Sequence, residues 1–198
     1  MTLKIGITGG IGSGKTTLSK VFEVLGIPVY YADLEAKRLM NEDEKIKEKI
    51  KYHFGKECYL NGSLNRKYLS ELIFNNDNKL SLLNSIVHPA ILEDTKIWMQ
   101  NQTSPYALKE AALIFESGSQ QQLDYVIGVF TPIHLRIQRV INRDQLSREE
   151  VKSRMDKQMD ETIKMRLCDF VINNDEQELL IPQVIKIHET LLSKIELS

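Results

Sequence analysis

A chain of 198 residues is long enough for one sizeable core and a small insertion. Its 26 Lys and Arg against 27 Asp and Glu leave a formal net charge of −1, so the composition carries no signature of a nucleic-acid or membrane partner. No apolar run approaches the roughly 18 residues of a membrane span, no signal-peptide pattern precedes the first strand, and Cys58 and Cys168 lack metal-type spacing. The expectation is a cytoplasmic protein with reduced thiols.

Taken in chain order, residues 3–8 are short, β-branched and apolar, which predicts a buried parallel strand. Gly9-Gly10-Ile11-Gly12-Ser13-Gly14-Lys15-Thr16 follows at once and completes the G-x-x-x-x-G-K-[ST] phosphate loop. Helical spacing of Leu18, Val21, Phe22 and Leu25 comes next, so the motif stands between strand and helix, as its chemistry requires. Its glycines let the backbone approach phosphate oxygens. The N–H groups then point inward at the positive end of a helix dipole, Lys15 serves the β- and γ-phosphates, and the Thr16 hydroxyl ligates Mg²⁺.

Residues 27–31 predict the second strand, and Asp33 follows it directly. Ligands of a parallel sheet bind at the carboxyl ends of its strands, so Asp33 reads as a proton acceptor or a Mg²⁺ ligand near the γ-phosphate, or else as an N-cap of the helix starting at Leu34. Residues 32–105 show hardly any strand signal: 34–54 and 66–103 look helical, with breaks expected at Gly55, Asn61-Gly62 and His88-Pro89. A simple crossover needs only about a dozen residues, so this stretch reads as a helical insertion. Within it, Arg66 and Lys67 are candidates for an acidic substrate or ordinary surface charges. His88, held extended before Pro89, is a site residue or a structural one, and Trp98 is expected in the core.

The third strand is predicted at 106–113 and the fourth at 125–130, with a shorter fifth at 170–173. Glu110 and Glu116 lie near the end of the third, so either holds the metal through water or serves as an ion-paired strand-end glutamate. Between 132 and 166 the pattern is helical, and Ser147-Arg148-Glu149-Glu150 is a capping box. Six of the eight arginines fall between 136 and 166, and Arg136, Arg139 and Arg143 share one helix face by their i, i+3, i+7 spacing. Beside a phosphate loop this reads as a lid over the triphosphate; a solvated charged face has the same pattern. Leu180, Val184, Ile187, Leu191 and Ile195 line one face of a last helix, whose start Pro182 obscures. Alternating strands and helices give an α/β class: a five-stranded parallel sheet flanked by helices.

Nearly the whole chain resembles the dephospho-CoA kinase family. The resemblance rests on Gly6-Ile7-Thr8 running into the phosphate loop, Ala32-Asp33, Asn65-Arg66 with Leu69, Phe74, His88-Pro89, Leu113-Ile114-Phe115-Glu116, Arg139 with Arg143-Asp144, Arg154 with Gln158, Asp169, Val171-Ile172 and Asn174. It implies a P-loop kinase fold and ATP-dependent phosphorylation of the ribose 3′-hydroxyl of dephospho-CoA, with ATP as co-substrate, Mg²⁺ as cofactor and no obligatory protein partner. The core is then 1–33, 88–130 and 166–198, the CoA-substrate insertion 34–87 and the lid 131–165. The expected catalytic groups are Asp33 as base, Lys15 and Arg143. ATP falls to Gly10, Ile11, Gly12, Ser13, Gly14, Lys15, Thr16, Thr17, Arg139, Arg143 and Asn174, the last beside adenine. The acceptor falls to Asp33, Arg66, His88 and Glu116, and the metal to Thr16 with Glu110 as a candidate. The chain departs from the family at Ala112 (usually Pro), Arg136 (often Gln) and Cys168 (Ala). Another small-molecule P-loop kinase with a different alcohol acceptor is the alternative. A GTPase switch lacks support, since Asn173-Asn174-Asp175-Glu176 does not fit an N-K-x-D motif.

Overall fold

The computed structural model describes residues 2–73 and 76–196, so Phe74 lies outside the described residues. In chain order the elements are β1 (Leu3–Thr8), α1 (Lys15–Val24), β2 (Val29–Tyr31), α2 (Ala32–Glu42), α3 (Glu44–Phe54), the short strands β3 (Tyr59–Leu60) and β4 (Ser63–Leu64), α4 (Arg66–Ile73), α5 (Asp77–Gln100), β5 (Tyr106–Glu110), β6 (Tyr125–Phe130), α6 (Ile133–Asp144), α7 (Arg148–Met155), α8 (Glu161–Arg166), β7 (Phe170–Asn173) and α9 (Leu180–Glu196). They fall into two compact units, residues 2–30 with 98–196 and residues 31–97.

The first unit is built on a five-stranded parallel sheet in the order β2-β5-β1-β6-β7. β1 is central: Ile5 lies opposite Leu108 on one side and Tyr125 on the other. Parallel pairing needs crossovers, which cover both faces and explain why these strands read as continuous apolar runs. On one face Ile5, Ile7, Leu108, Ile127, Val129 and Ile172 pack under Leu18 and Phe22 of α1 and Val184, Ile187 and Leu191 of α9. On the other face the strand glycines admit close neighbours. A Cβ at Gly6 would lie 2.7 Å from both Ile114 and Leu123, and one at Gly128 would lie 2.7 Å from Met165 Sδ. The carboxyl ends of β1, β5, β6 and β7 share one edge, and every connection that carries candidate site residues in this unit leaves from it.

The second unit has its own core of Leu39, Ile46, Ile50, Phe54, Cys58, Leu69, Leu83, Ile86 and Val87. The expected helix over 34–54 is two helices, parted at Asp43. Its carboxylate accepts from Lys45 N at 2.8 Å and Ile46 N at 3.1 Å, and so caps α3. Asn61-Gly62, expected only to break a helix, turns a hairpin: φ of 50° and 81° at the two residues joins β3 to β4, with Tyr59 opposite Leu64. His88-Pro89 does not break the chain into two helices. α5 runs through it, because Leu83, Ile86 and Val87 before the proline and Ala90 and Ile91 after it pack on one cluster, which outweighs the one missing N–H. His88 is therefore helical, not extended. The third strand ends at Glu110, not 113. Ala111 N makes the last ladder bond to Ile7 O, after which turns closed by Ser117 N to Leu113 O and Gly118 N to Phe115 O take over.

Candidate active site

Gly14 precedes α1 with φ 91°, a conformation that lets β1 turn sharply into the helix, and Lys15 is the first helical residue. Lys15 is buried, and its ammonium folds over the loop to donate to Gly9 O at 2.9 Å and Gly10 O at 3.3 Å. The loop is tied down from beyond β6 and β7. Thr131 Oγ1 donates to Ser13 O at 3.0 Å, and Asn174 Nδ2 donates to the same oxygen at 2.8 Å. A Cβ at Gly14 would stand 2.3 Å from that Asn174 amide, so the position has room only for glycine.

Gly12, Gly14, Lys15, Thr16, Thr17, Arg139, Val140 and Arg143 line one cavity of about 350 Å³. Two of the three arginines on the shared α6 face thus join the phosphate loop. Arg139 Nη2 donates to Glu176 at 2.9 Å and reaches Asn174 O at 3.4 Å. Its Nη1 is buried, has no hydrogen-bond partner among the described residues and lies 3.9 Å from the Cβ position of Gly14. A buried guanidinium N–H beside a phosphate loop is a donor in want of an acceptor. Arg143 is exposed and holds Asp144 through two bonds of 2.7 and 2.9 Å, a side-chain pairing that raises its pKa.

Arg136 differs from its two neighbours. It is buried, donates from Nε to Ile11 O at 3.0 Å and pairs through Nη1 with Glu161 at 2.8 Å. Burial lowers its pKa against the pull of Glu161. It braces the loop from behind and does not line the cavity.

Glu110, the last residue of β5, is buried. Glu116 is spoken for: its Oε1 accepts from the fully buried Lys164 Nζ at 2.8 Å and from Met159 N at 2.9 Å. Burial pushes this carboxyl up, but Lys164 and the backbone N–H groups outweigh it and hold it below the usual range. Lys164 also donates to Ala112 O at 3.0 Å, so the pair fastens α8 to the turn after β5. Asp33, Arg66 and His88 belong to the second unit, in the first turn of α2, at the start of α4 and in the middle of α5. Asp33 is exposed, and Tyr31, not Asp33, occupies the N-cap position of α2. Both thiols are pushed up by burial, Cys168 to about 12, which rules them out as ready nucleophiles.

Thr131 and Glu161 belong to no motif of the sequence, and Gln158 is marked there only by the family resemblance. Gln158 Oε1 accepts from Ile11 N at 2.9 Å, and Glu161 Oε1 accepts from Gly10 N at 3.4 Å. Their signal in the sequence is weak, because Gln and Glu in a polar helical stretch look like surface.

A family model described as dephospho-CoA kinase matches residues 3–179. A protein from Bacteroides fragilis named dephospho-CoA kinase is 36% identical over 196 residues, covering 98% of this chain and 96% of that protein. A solved structure of dephospho-CoA kinase from Campylobacter jejuni superposes with a TM-score of 0.70 at 30% identity, covering 98% of this chain and 99% of that one. A solved structure from Thermus thermophilus reaches a TM-score of 0.82 at 31% identity, covering 98% and 97%.

Proposed function

Because the chain belongs to the dephospho-CoA kinase family, and so transfers a phosphoryl group from ATP to the ribose 3′-hydroxyl of dephospho-CoA, we propose how its own residues do it. The backbone N–H groups of Gly12 to Thr16 and the Lys15 ammonium cradle the β- and γ-phosphates. Arg139 and Arg143 reach the same phosphates from α6 and stabilise the transferred charge. Asp33, two residues beyond the end of β2, accepts the proton of the attacking hydroxyl. Arg66 and His88 hold the acceptor in the helical unit, Asn174 borders the adenine, and residues 131–165 act as the lid.

The observation that carries the phosphate half of this reading is the buried Nη1 of Arg139 beside Gly14, which has no hydrogen-bond partner among the described residues. For Mg²⁺, the Thr16 hydroxyl on the loop cavity and the Glu110 carboxylate at the end of β5 are hard oxygen donors of the kind that ion takes, so the residues fit it. When bound, the ion would neutralise charge on the phosphate oxygens. Glu116, committed to Lys164, is assigned to bracing. No helix among the described residues is long and apolar enough to cross a membrane, and we place the reaction in the cytoplasm.

Incubation with Mg-ATP and dephospho-CoA should yield a product heavier by one phosphoryl group and identical with coenzyme A. Phosphorylation of shikimate or a nucleoside in its place, with dephospho-CoA untouched, would overturn the acceptor assignment.

A further inference from the structure

The phosphate loop is gripped around Ile11 by the segment that carries the arginines. The side chain of Ile11 packs into a small cluster of Ile137 and Val140 of α6, Val151 of α7, and Ile141, Leu146 and Met155 around them. Its N–H is held by Gln158 at 2.9 Å and its carbonyl by Arg136 at 3.0 Å. On either side of it, Gly10 N–H reaches Glu161, which is itself paired with Arg136. A Cβ at Gly12 would strike Arg136 O at 2.6 Å and Val140 Cγ2 at 2.9 Å. Three successive loop residues are therefore seated on α6–α8. The same α6 carries Arg139 and Arg143 into the cavity shared with Gly12 to Thr17.

We propose that Ile11 is a positioning residue: it sets the phosphate loop against Arg139 and Arg143, so that loop and arginines meet the triphosphate as one unit. This rests on the reading that these groups bind ATP. The physical reason is that a side chain packed in a cluster, with both backbone polar groups satisfied by that cluster's own neighbours, cannot shift without moving them. A loop held in this way is preorganised, and an arginine one helical turn away is registered to it.

The test is a cycle on the full-length protein, read as the dissociation constant of a fluorescent non-hydrolysable ATP analogue. Ile11→Ala should weaken binding on the order of tenfold in the otherwise native protein, a coupling of ordinary size. It should weaken binding by only about twofold in an Arg139→Ala, Arg143→Ala background, since residues that act through one another are not additive. Ile11→Val should restore most of the loss, and Gln158→Met, which removes only the acceptor for the Ile11 N–H, should follow the same non-additive pattern. Gln158→Met carries the test if Ile11→Ala does not fold. Equal losses in both backgrounds would overturn the proposal. Lys15→Ala separates the premise from the inference: if it leaves analogue binding intact, the phosphate-loop reading fails, whereas if it abolishes binding while Ile11→Ala and Gln158→Met have no effect, only the coupling fails.

Discussion

Lys109 is the residue in this fold whose energetic consequence can be worked out most fully. It is fourth in β5, opposite Gly6 in the register, 3% exposed, and has no hydrogen-bond or ion-pair partner among the described residues. Burial lowers its pKa from 10.5 to about 8. That fall corresponds to about 3 kcal/mol in favour of the neutral amine in the folded chain. The sign follows from linkage: between pH 8 and 10.5 the unfolded chain binds this proton and the folded chain does not, so stability rises with pH across that window and is lowest below it. Lys109→Met keeps the apolar stem and removes the amine. At pH 7 the variant is expected to be more stable by about 3 kcal/mol, and its advantage should shrink towards zero as the pH rises from 8 to 10.5. Urea unfolding followed by the fluorescence of Trp98, the single tryptophan, reports on this unit, because the Trp98 ring packs tilted against Tyr30, centroids 5.5 Å apart, within it. Taking the difference between the two proteins at each pH cancels the other groups that titrate there. A constant difference from pH 7 to 10.5, or a less stable variant at pH 7, would refute the reasoning.

Asp33→Asn should leave the fold intact, since Asp33 does not cap α2, yet lower kcat on the order of 10²-fold with little change in KM for ATP; a normal kcat would remove Asp33 from the chemistry. Arg139→Lys keeps the charge and loses the planar fork, so kcat/KM for ATP should fall on the order of tenfold. Trypsin cleavage after Arg139 and Arg143 should slow when a non-hydrolysable ATP analogue is present, and equal cleavage with and without it would mean that residues 131–165 do not cover the nucleotide. Lys164→Met removes the lysine partner of Glu116, which keeps its bond from Met159 N, and should destabilise the protein on the order of 2 kcal/mol at pH 7. Because Glu116 is held below 4.5 in the folded chain, its pairing contributes fully above that pH and is lost as the pH falls through the folded value. Acid unfolding below pH 4.5 should therefore be less steep in Lys164→Met than in the native protein.

Strand, glycine loop and helix were legible in the residues themselves, because the phosphate loop carries its own signature: positive φ at Gly12 and Gly14 calls for glycine, and the helix starts at Lys15 directly after them. The apolar stripe of α9 and the capping box at Ser147, where Glu150 N reaches Ser147 Oγ at 3.2 Å, were legible for the same reason. Elsewhere tertiary packing overrode local signals. Pro89 sits inside α5 because the residues on both of its flanks share one core cluster. Arg136 repeats the helical spacing of Arg139, yet it turns to Ile11 and Glu161 while Arg139 faces the loop cavity. Periodicity states which residues share a face, but a face one helical turn wide meets different neighbours at its two ends. Lys109 and Lys164 are both lysines in this unit and both are buried. That Lys164 has a carboxylate and a carbonyl to meet, and that Lys109 has neither among the described residues, was decided only when the chain closed around them.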